Sequence, residues 1–191
     1  TVFEDKAPDA AYVPNNCRVS ATAISACEIG IANAPGFGTY PARVIPGASV
    51  RRSVRGEGTN QRFVTDILPA DQPADSLLVV EVITPSSHSS SYPPHKHDTD
   101  DLPNESSLEE TYYHRVNPPQ GYVLQRVYTD DRSLDEAVPA EDHDVVLVPK
   151  GYHPVTVPHG YTSYYLNVMA GERRNWVFRN DPAHEWMLKK A

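Results

Sequence analysis

The sequence is poor in the residues that build disulfide frameworks, basic surfaces and membrane spans. It holds two cysteines, Cys17 and Cys27, in 191 residues, and we expect buried thiols in a reducing cytosol. Acidic residues outnumber basic ones by 25 to 17, for a net charge of −8, which argues against nucleic acid as a partner because phosphate binding needs basic surface. No apolar run approaches the roughly 18 residues of a membrane span, and no signal peptide is recognisable, so a cytoplasmic protein is predicted.

Helical periodicity is also missing from every segment of useful length. The 18 prolines favour short strands and turns. Residues 17–35 are predicted to form two strands around a turn, and residues 35–75 a long connection punctuated by Pro and Gly. The remaining strand signals are "SLLVVEVITP", "LEETYYHRV", "YVLQRVYT", "DVVLVPKG" and "SYYLNVMAG". Short strands separated by turns predict an all-β sandwich or barrel.

Two histidines, His95 and His97, stand directly after two prolines in "SSYPPHKHD". Proline disfavours helix and pushes its predecessor toward extended conformations. An extended segment sends alternate side chains to the same face. Both imidazoles are therefore predicted to point one way and Lys96 the other.

A divalent metal needs three or four nitrogen or oxygen ligands, and two later motifs offer them. "LEETYYHR" places Glu110 on one strand face with Tyr112 and His114, and "VPKGYHPV" places His153 just after a Pro-X-Gly turn. This ordered pattern resembles the cupin superfamily, in which two motifs bring three His and one Glu to a metal inside a small barrel.

The cupin resemblance implies a ligand set of His95, His97, Glu110 and His153. A polar insertion, residues 98–109, separates the second histidine from the glutamate and is expected to loop out. It leaves Glu109 and Glu105 as alternative ligands, although Glu109 falls on the opposite strand face.

The longer strings "SSYPPHKHD", "LEETYYHR", "GYVLQRVYT", "DVVLVPKGYHPV", "YYLNVMAGERRNW" and "NDPAHEWM" resemble the 5-deoxy-glucuronate isomerases of bacterial inositol catabolism, which are related to the 4-deoxy-threo-hexulose-uronate isomerases. The resemblance implies a bicupin. Residues 1–76 would be the remnant of an N-terminal cupin-like half plus a linker, and residues 77–191 the metal-binding cupin. The first strands of the N-terminal barrel are expected to be missing, and a homo-oligomer is predicted.

The same resemblance implies a metal-dependent aldose-ketose isomerase acting on a small-molecule sugar acid. It would convert 5-deoxy-glucuronate to 5-dehydro-2-deoxy-gluconate in myo-inositol catabolism. The donor set suits Zn, Mn, Fe or Co, and the resemblance favours Zn. Two other functions stay open at this point: a cupin dioxygenase with a three-His, one-Glu iron site, and a non-catalytic sugar-binding bicupin.

Candidate residues for the chemistry follow from strand alternation. His114 has a pKa suited to proton transfer near neutrality, and Tyr112 shares its face. Arg62 and Arg126 are candidates to bind the substrate carboxylate, because guanidinium offers bidentate geometry. Gln125 is a further substrate-binding candidate, but it alternates with Arg126, so only one of the two can face inward.

Overall fold

The structure is a computed structural model that describes residues 1–188, and it is built from short strands. The strands are β1 (Ala10–Tyr12), β2 (Arg43–Ile45), β3 (Arg51–Arg55), β4 (Arg62–Leu68), β5 (Leu77–Thr84), β6 (Ser89–Ser90), β7 (His95–Lys96), β8 (Asp98–Asp101), β9 (Glu105–Ser107), β10 (Glu109–Asn117), β11 (Tyr122–Tyr128), β12 (Asp135–Glu141), β13 (Val145–Val148), β14 (Val155–Thr156), β15 (Thr162–Ala170) and β16 (Arg179–Asn180). Short 3₁₀ helices span Gly47–Ser49, Gly58–Asn60 and Pro182–Leu188. Within residues 1–188 no helix has the length and apolar content needed to cross a bilayer.

Two antiparallel sheets dominate the architecture. A six-stranded sheet has the order β13-β10-β15-β5-β4-β3, and a four-stranded sheet has the order β12-β11-β14-β6. The pairs β1–β2, β7–β16 and β8–β9 are separate two-stranded ladders. The prediction of an all-β fold is confirmed. The hydrogen-bonded ladders of the described residues do not close the two sheets into one continuous barrel.

The core lies on the inner faces of these sheets and is shared between apolar and polar side chains. Strand β10 alternates strictly, with its even-numbered residues from Glu110 to Val116 buried. Apolar side chains from both sheets form one cluster that includes Leu78, Val123 and Met169. Burial of each such side chain contributes about 1.5–3 kcal/mol. This packing fixes the strands on which the polar inward residues sit.

The predicted pair of strands over residues 17–35 is wrong. Residues 13–42 contain no strand, because the segment finds no partner strand among the described residues. It is held on the outer face of β10, where Glu28 pairs with Arg115 at 2.6 Å. The expected burial of Cys17 and Cys27 is also wrong, since both are free and exposed.

The predicted long connection over residues 35–75 contains real strands. Its prolines and glycines lie outside β2, β3 and β4, so they do not interrupt any ladder. Strand β3 pairs with β4, and β4 pairs with β5. The predicted boundary after residue 76 therefore falls between two hydrogen-bonded neighbours of one sheet.

Candidate metal centre

Three buried side chains meet between the two sheets: His97, Glu110 and His153. One ligand atom from each lies within 4.8 Å of the other two. Glu110 Oε2 is 3.1 Å from Nε2 of His97 and 3.1 Å from Nε2 of His153. Two imidazoles and a carboxylate at such distances form a donor set that could hold a divalent metal ion.

The backbone fixes the orientation of both rings. His97 Nδ1 lies 3.1 Å from the Leu108 carbonyl oxygen, and His153 Nδ1 lies 2.8 Å from that of Gly151. Because a carbonyl only accepts, each Nδ1 donates a proton to it, and each Nε2 is the ring atom that faces Glu110. The buried Nε2 of His153 has no hydrogen-bond partner in the described part of the chain, despite its closeness to Glu110. An orphaned nitrogen beside a carboxylate fits a metal ligand.

His95 stands beside this group without being inside it. Its ring centre is 5.0 Å from that of His153 and 6.3 Å from that of His97. Its Nδ1 lies 3.3 Å from the carbonyl oxygen of Pro93, which again leaves Nε2 available. The Phe178 ring packs against it at 4.6 Å. Its role as a fourth ligand stays a prediction.

Burial and neighbouring groups shift the pKa values of the candidate ligands. Burial alone would raise the pKa of Glu110, but the imidazoles of His153 and His97 beside its carboxylate outweigh burial and hold that pKa well below its usual range. Burial alone would lower the pKa of His97, yet Glu110 raises it. Burial, reinforced by the neighbouring histidines, pushes the pKa of His95 well below its usual value. Glu110 is therefore ionised and His95 neutral.

The two alternative carboxylates lie elsewhere. Glu109 is exposed, on the face of β10 opposite Glu110. Glu105 is buried but accepts hydrogen bonds from the backbone N–H groups of Asp98 and Thr99. Of the three candidates, Glu110 is the one that the structure brings to the histidines.

Asn167 is a part of the centre that the sequence reasoning missed. Its Nδ2 donates a hydrogen bond to Glu110 Oε1, which leaves Oε2 for the histidines. It lies on β15, directly opposite Tyr112 of β10. A usable signal was present in the sequence, because Asn167 is an amide on the inward face of β15, between Tyr165 and Met169.

A glycine shapes the turn that carries His153. Gly151 has φ +90°, and a Cβ there would come within 2.4 Å of the Tyr128 carbonyl oxygen. Tyr152 exchanges two backbone hydrogen bonds with Tyr128, at 2.8 and 2.9 Å. Only glycine fits this combination of backbone angle and close approach.

Tyr112 and His114 both point inward, as the alternation of β10 predicts. The Tyr112 ring lies 5.8 Å from that of His153, and the His114 ring stacks 5.9 Å behind Tyr112. His114 Nε2 is 2.9 Å from Oε1 of the fully buried Gln125. Burial raises the pKa of Tyr112 well above its usual value and lowers that of His114, so both are neutral near pH 7. Their catalytic roles stay predictions.

The structure decides which of Gln125 and Arg126 faces inward. Gln125 does, and Arg126 lies on the outer face of β11 with 45% of its side chain exposed. The Arg126 guanidinium makes two hydrogen bonds to Asp135, at 2.7 and 2.8 Å. The prediction that Arg126 binds the substrate carboxylate is therefore corrected, because strand alternation turns it away from the candidate metal centre.

Arg62 is placed quite differently. It is partly buried at the start of β4, and its Nη1 donates to the backbone and side-chain oxygens of Asn60, at 3.1 and 3.2 Å. Burial lowers its pKa, while Tyr165 and Tyr112 lie close enough to raise it slightly. Among residues 1–188 no carboxylate forms an ion pair with it. A half-buried cation that lacks an acidic partner is suited to bind an anionic ligand.

Comparison with known proteins gives a consistent result. The sequence matches the KduI/IolB family over residues 1–187. It is 58% identical over 188 residues to a protein of Geobacillus kaustophilus HTA426 named 5-deoxy-glucuronate isomerase, covering 98% of this chain and 68% of that one. A protein of the same name from Bacillus subtilis 168 is 53% identical over 191 residues, covering 100% of this chain and 70% of that one.

A solved structure agrees with the sequence relatives. The crystal structure of an IolB-like protein from Salmonella typhimurium LT2 has a TM-score of 0.79 and 58% identity, covering 81% of this chain and 59% of that chain. The chain thus spans about two thirds of the length of the curated relatives and less of the solved one. On the match over residues 1–187 and these identities, the chain belongs to the KduI/IolB family.

Proposed function

We propose that this chain is a metal-dependent aldose-ketose isomerase that converts 5-deoxy-glucuronate to 5-dehydro-2-deoxy-gluconate in myo-inositol catabolism. The observation that carries the proposal is the 58% identity, over 98% of the chain, to a protein named 5-deoxy-glucuronate isomerase. The buried group of His97, Glu110 and His153 supplies the matching chemistry.

The proposed ligand set is His95, His97, Glu110 and His153, and the proposed ion is Zn²⁺, with Mn²⁺, Fe²⁺ and Co²⁺ also compatible with these donors. A divalent ion held there would act as a Lewis acid toward negative charge on the substrate oxygens. The free Nε2 of His153 supports this assignment, as does the ionised state of Glu110.

The chain's own residues would bind the substrate and move its proton. The reaction takes a proton from C2 of an open-chain aldose and returns one to C1. Arg62 would bind the sugar carboxylate, since no carboxylate of the described residues pairs with it. Tyr112 keeps its proton at neutral pH and would donate a hydrogen bond beside the centre. His114, which lies behind Tyr112 and is neutral, would accept the proton that leaves C2. The hydrogen bond to Gln125 would fix the orientation of its ring.

Isomerisation can be tested directly by NMR. The zinc-loaded protein is incubated with 5-deoxy-glucuronate in D₂O without oxygen, and the ketose product should appear with deuterium at C1. The matched controls are metal-free protein and the His153→Ala variant. Turnover that requires oxygen would indicate a dioxygenase, and binding without turnover would indicate a sugar-binding protein. Either result would overturn the proposal.

The remaining assignments belong to the same proposal. A bicupin organisation, with residues 1–76 as the remnant of an N-terminal cupin-like half plus a linker and residues 77–191 as the metal-binding cupin, would match the family resemblance. We further propose a cytoplasmic homo-oligomer, which size-exclusion chromatography coupled to light scattering would test.

A further inference from the structure

The insertion at residues 98–109 is hydrogen-bonded to the segments that carry His97 and His153 instead of looping out. Strands β8 and β9 pair within it, and Lys96 reaches into it from between the two histidines. Lys96 Nζ lies 2.8 Å from Asp98 Oδ1, 3.3 Å from Asp130 Oδ2 and 3.6 Å from Glu105 Oε1. Only 10% of the Lys96 side chain is exposed. The lysine that points away from the metal centre thus pairs with three carboxylates, of which Asp98 and Glu105 are largely buried and Asp130 is 68% exposed.

Asp98 connects the two histidine-bearing segments. It directly follows His97, and its Oδ2 accepts a hydrogen bond from the backbone N–H of Gly151 at 2.8 Å. The carbonyl of the same glycine orients the ring of His153. One carboxylate therefore joins the two ligand positions across 53 residues of sequence.

Glu105 holds the chain just after His97. Its Oε1 accepts hydrogen bonds from the N–H groups of Asp98 and Thr99, at 2.9 and 3.1 Å. Three residues later, Leu108 donates its N–H to the His97 carbonyl at 2.9 Å and accepts from the His97 ring. The side chain of Glu105 is 3% exposed. A carboxylate this deeply buried needs compensating donors and a cation, and Lys96 is that cation.

We propose that residues 98–108, called the carboxylate strap below, position His97 and His153 for metal binding. Asp98 and Glu105 are its positioning residues, and neither touches the ion. The inference rests on the proposed metal centre. An ion cluster that served stability alone would not need its carboxylate to bond the Gly151 turn and the backbone after His97.

The test compares a truncation, its conservative counterpart and a matched control on the same strap. Asp98→Ala removes the link to Gly151, whereas Asp98→Asn keeps an oxygen that can accept from that N–H. Asp100→Ala is the control, because Asp100 is half-exposed and forms a surface pair with Arg173 at 3.6 Å. Zinc affinity is measured by chelator competition, and the geometry of the centre by the visible spectrum of the cobalt(II) form.

Asp98→Ala should weaken zinc binding by about 10–100-fold, the usual cost of losing a partner that orients a ligand. It should also shift the cobalt bands. Asp98→Asn, which keeps an acceptor for Gly151 but loses the ion pair with Lys96, should lose less affinity than Asp98→Ala, and Asp100→Ala should leave the affinity unchanged. If Asp98→Ala does not fold, Glu105→Ala with Glu105→Gln as its conservative counterpart gives the same comparison. The urea midpoint of each metal-free variant separates positioning from simple loss of stability.

Equal zinc affinity and identical cobalt spectra for Asp98→Ala and Asp100→Ala would overturn the inference. An equal loss of zinc affinity in Asp98→Ala and Asp98→Asn would also overturn it. An unaltered protein that binds zinc but does not isomerise the sugar acid would overturn the proposed function and leave the strap intact, so the two failures are distinguishable.

Discussion

Replacement of Arg62 by methionine tests how the substrate is held. Methionine keeps much of the buried length and removes the charge. Arg62 hydrogen-bonds only to neutral oxygens of Asn60 in the described structure, so no buried carboxylate is left uncompensated. Arg62 is partly buried, and burial lowers its pKa. We therefore expect little loss of folding stability and a large loss of substrate affinity.

The size of that loss follows from the bonds that Arg62 would make to the sugar carboxylate. A hydrogen bond to a charged group contributes about 1.5–3 kcal/mol. At about 1.4 kcal/mol per tenfold, KM should rise about 10–100-fold. Arg126→Met is the matched control, because its guanidinium is 45% exposed and already paired with Asp135. A surface pair of that kind contributes about 0–1 kcal/mol to stability, and KM should stay within about twofold.

Steady-state kinetics with 5-deoxy-glucuronate would measure both variants, and urea unfolding would report their stability. An unchanged KM in Arg62→Met would refute the assignment of Arg62. A larger rise in KM for Arg126→Met than for Arg62→Met would refute the argument from strand alternation as well.

Three further predictions concern the metal centre. His153→Ala should abolish stoichiometric zinc, measured by elemental analysis, and full occupancy in that variant would contradict the ligand assignment. Asn167→Leu should weaken zinc binding about tenfold or more, because it removes a charge-assisted hydrogen bond to Glu110 that contributes about 1.5–3 kcal/mol. The control is Ser163→Ala, a buried change elsewhere on β15, which should leave the chelator-competition curve unchanged. Zinc affinity should fall as pH drops through the raised pKa of His97, since protons then compete for the ring. The folding stability of the metal-free protein should depend on pH in the opposite sense to zinc affinity. A raised histidine pKa stabilises the fold at low pH, and this contribution is lost as pH rises through the folded-state pKa. A pH-independent dissociation constant between pH 6 and 8 would contradict the proton competition.

Local patterns predicted much of the candidate centre. Alternation along β10 placed Glu110, Tyr112 and His114 on one face, and the structure shows all three buried. The extended His-X-His segment turned Lys96 away from its neighbours, as observed. These predictions depend on a period of two residues within one strand, which the sequence displays directly.

The predictions that were wrong concern features that depend on contacts between distant segments. The partner of the polar insertion is Gly151, 53 residues from Asp98, so its own composition suggested only a solvated loop. The inward choice between Gln125 and Arg126 depends on which face of β11 meets the other sheet. Apolar residues at 17–35 resembled strands, but a strand also needs a neighbour to pair with, and periodicity does not reveal whether one exists.

The turn at Gly151 makes this position sensitive to substitution. The position contributes no donor atom to the proposed ion, yet a methyl group there would collide with the Tyr128 carbonyl. Relief of the collision would displace the His153 imidazole or the Asp98 carboxylate, both of which hydrogen-bond to Gly151. Gly151→Ala should therefore behave like the deletion of a ligand, although every ligand remains in the sequence.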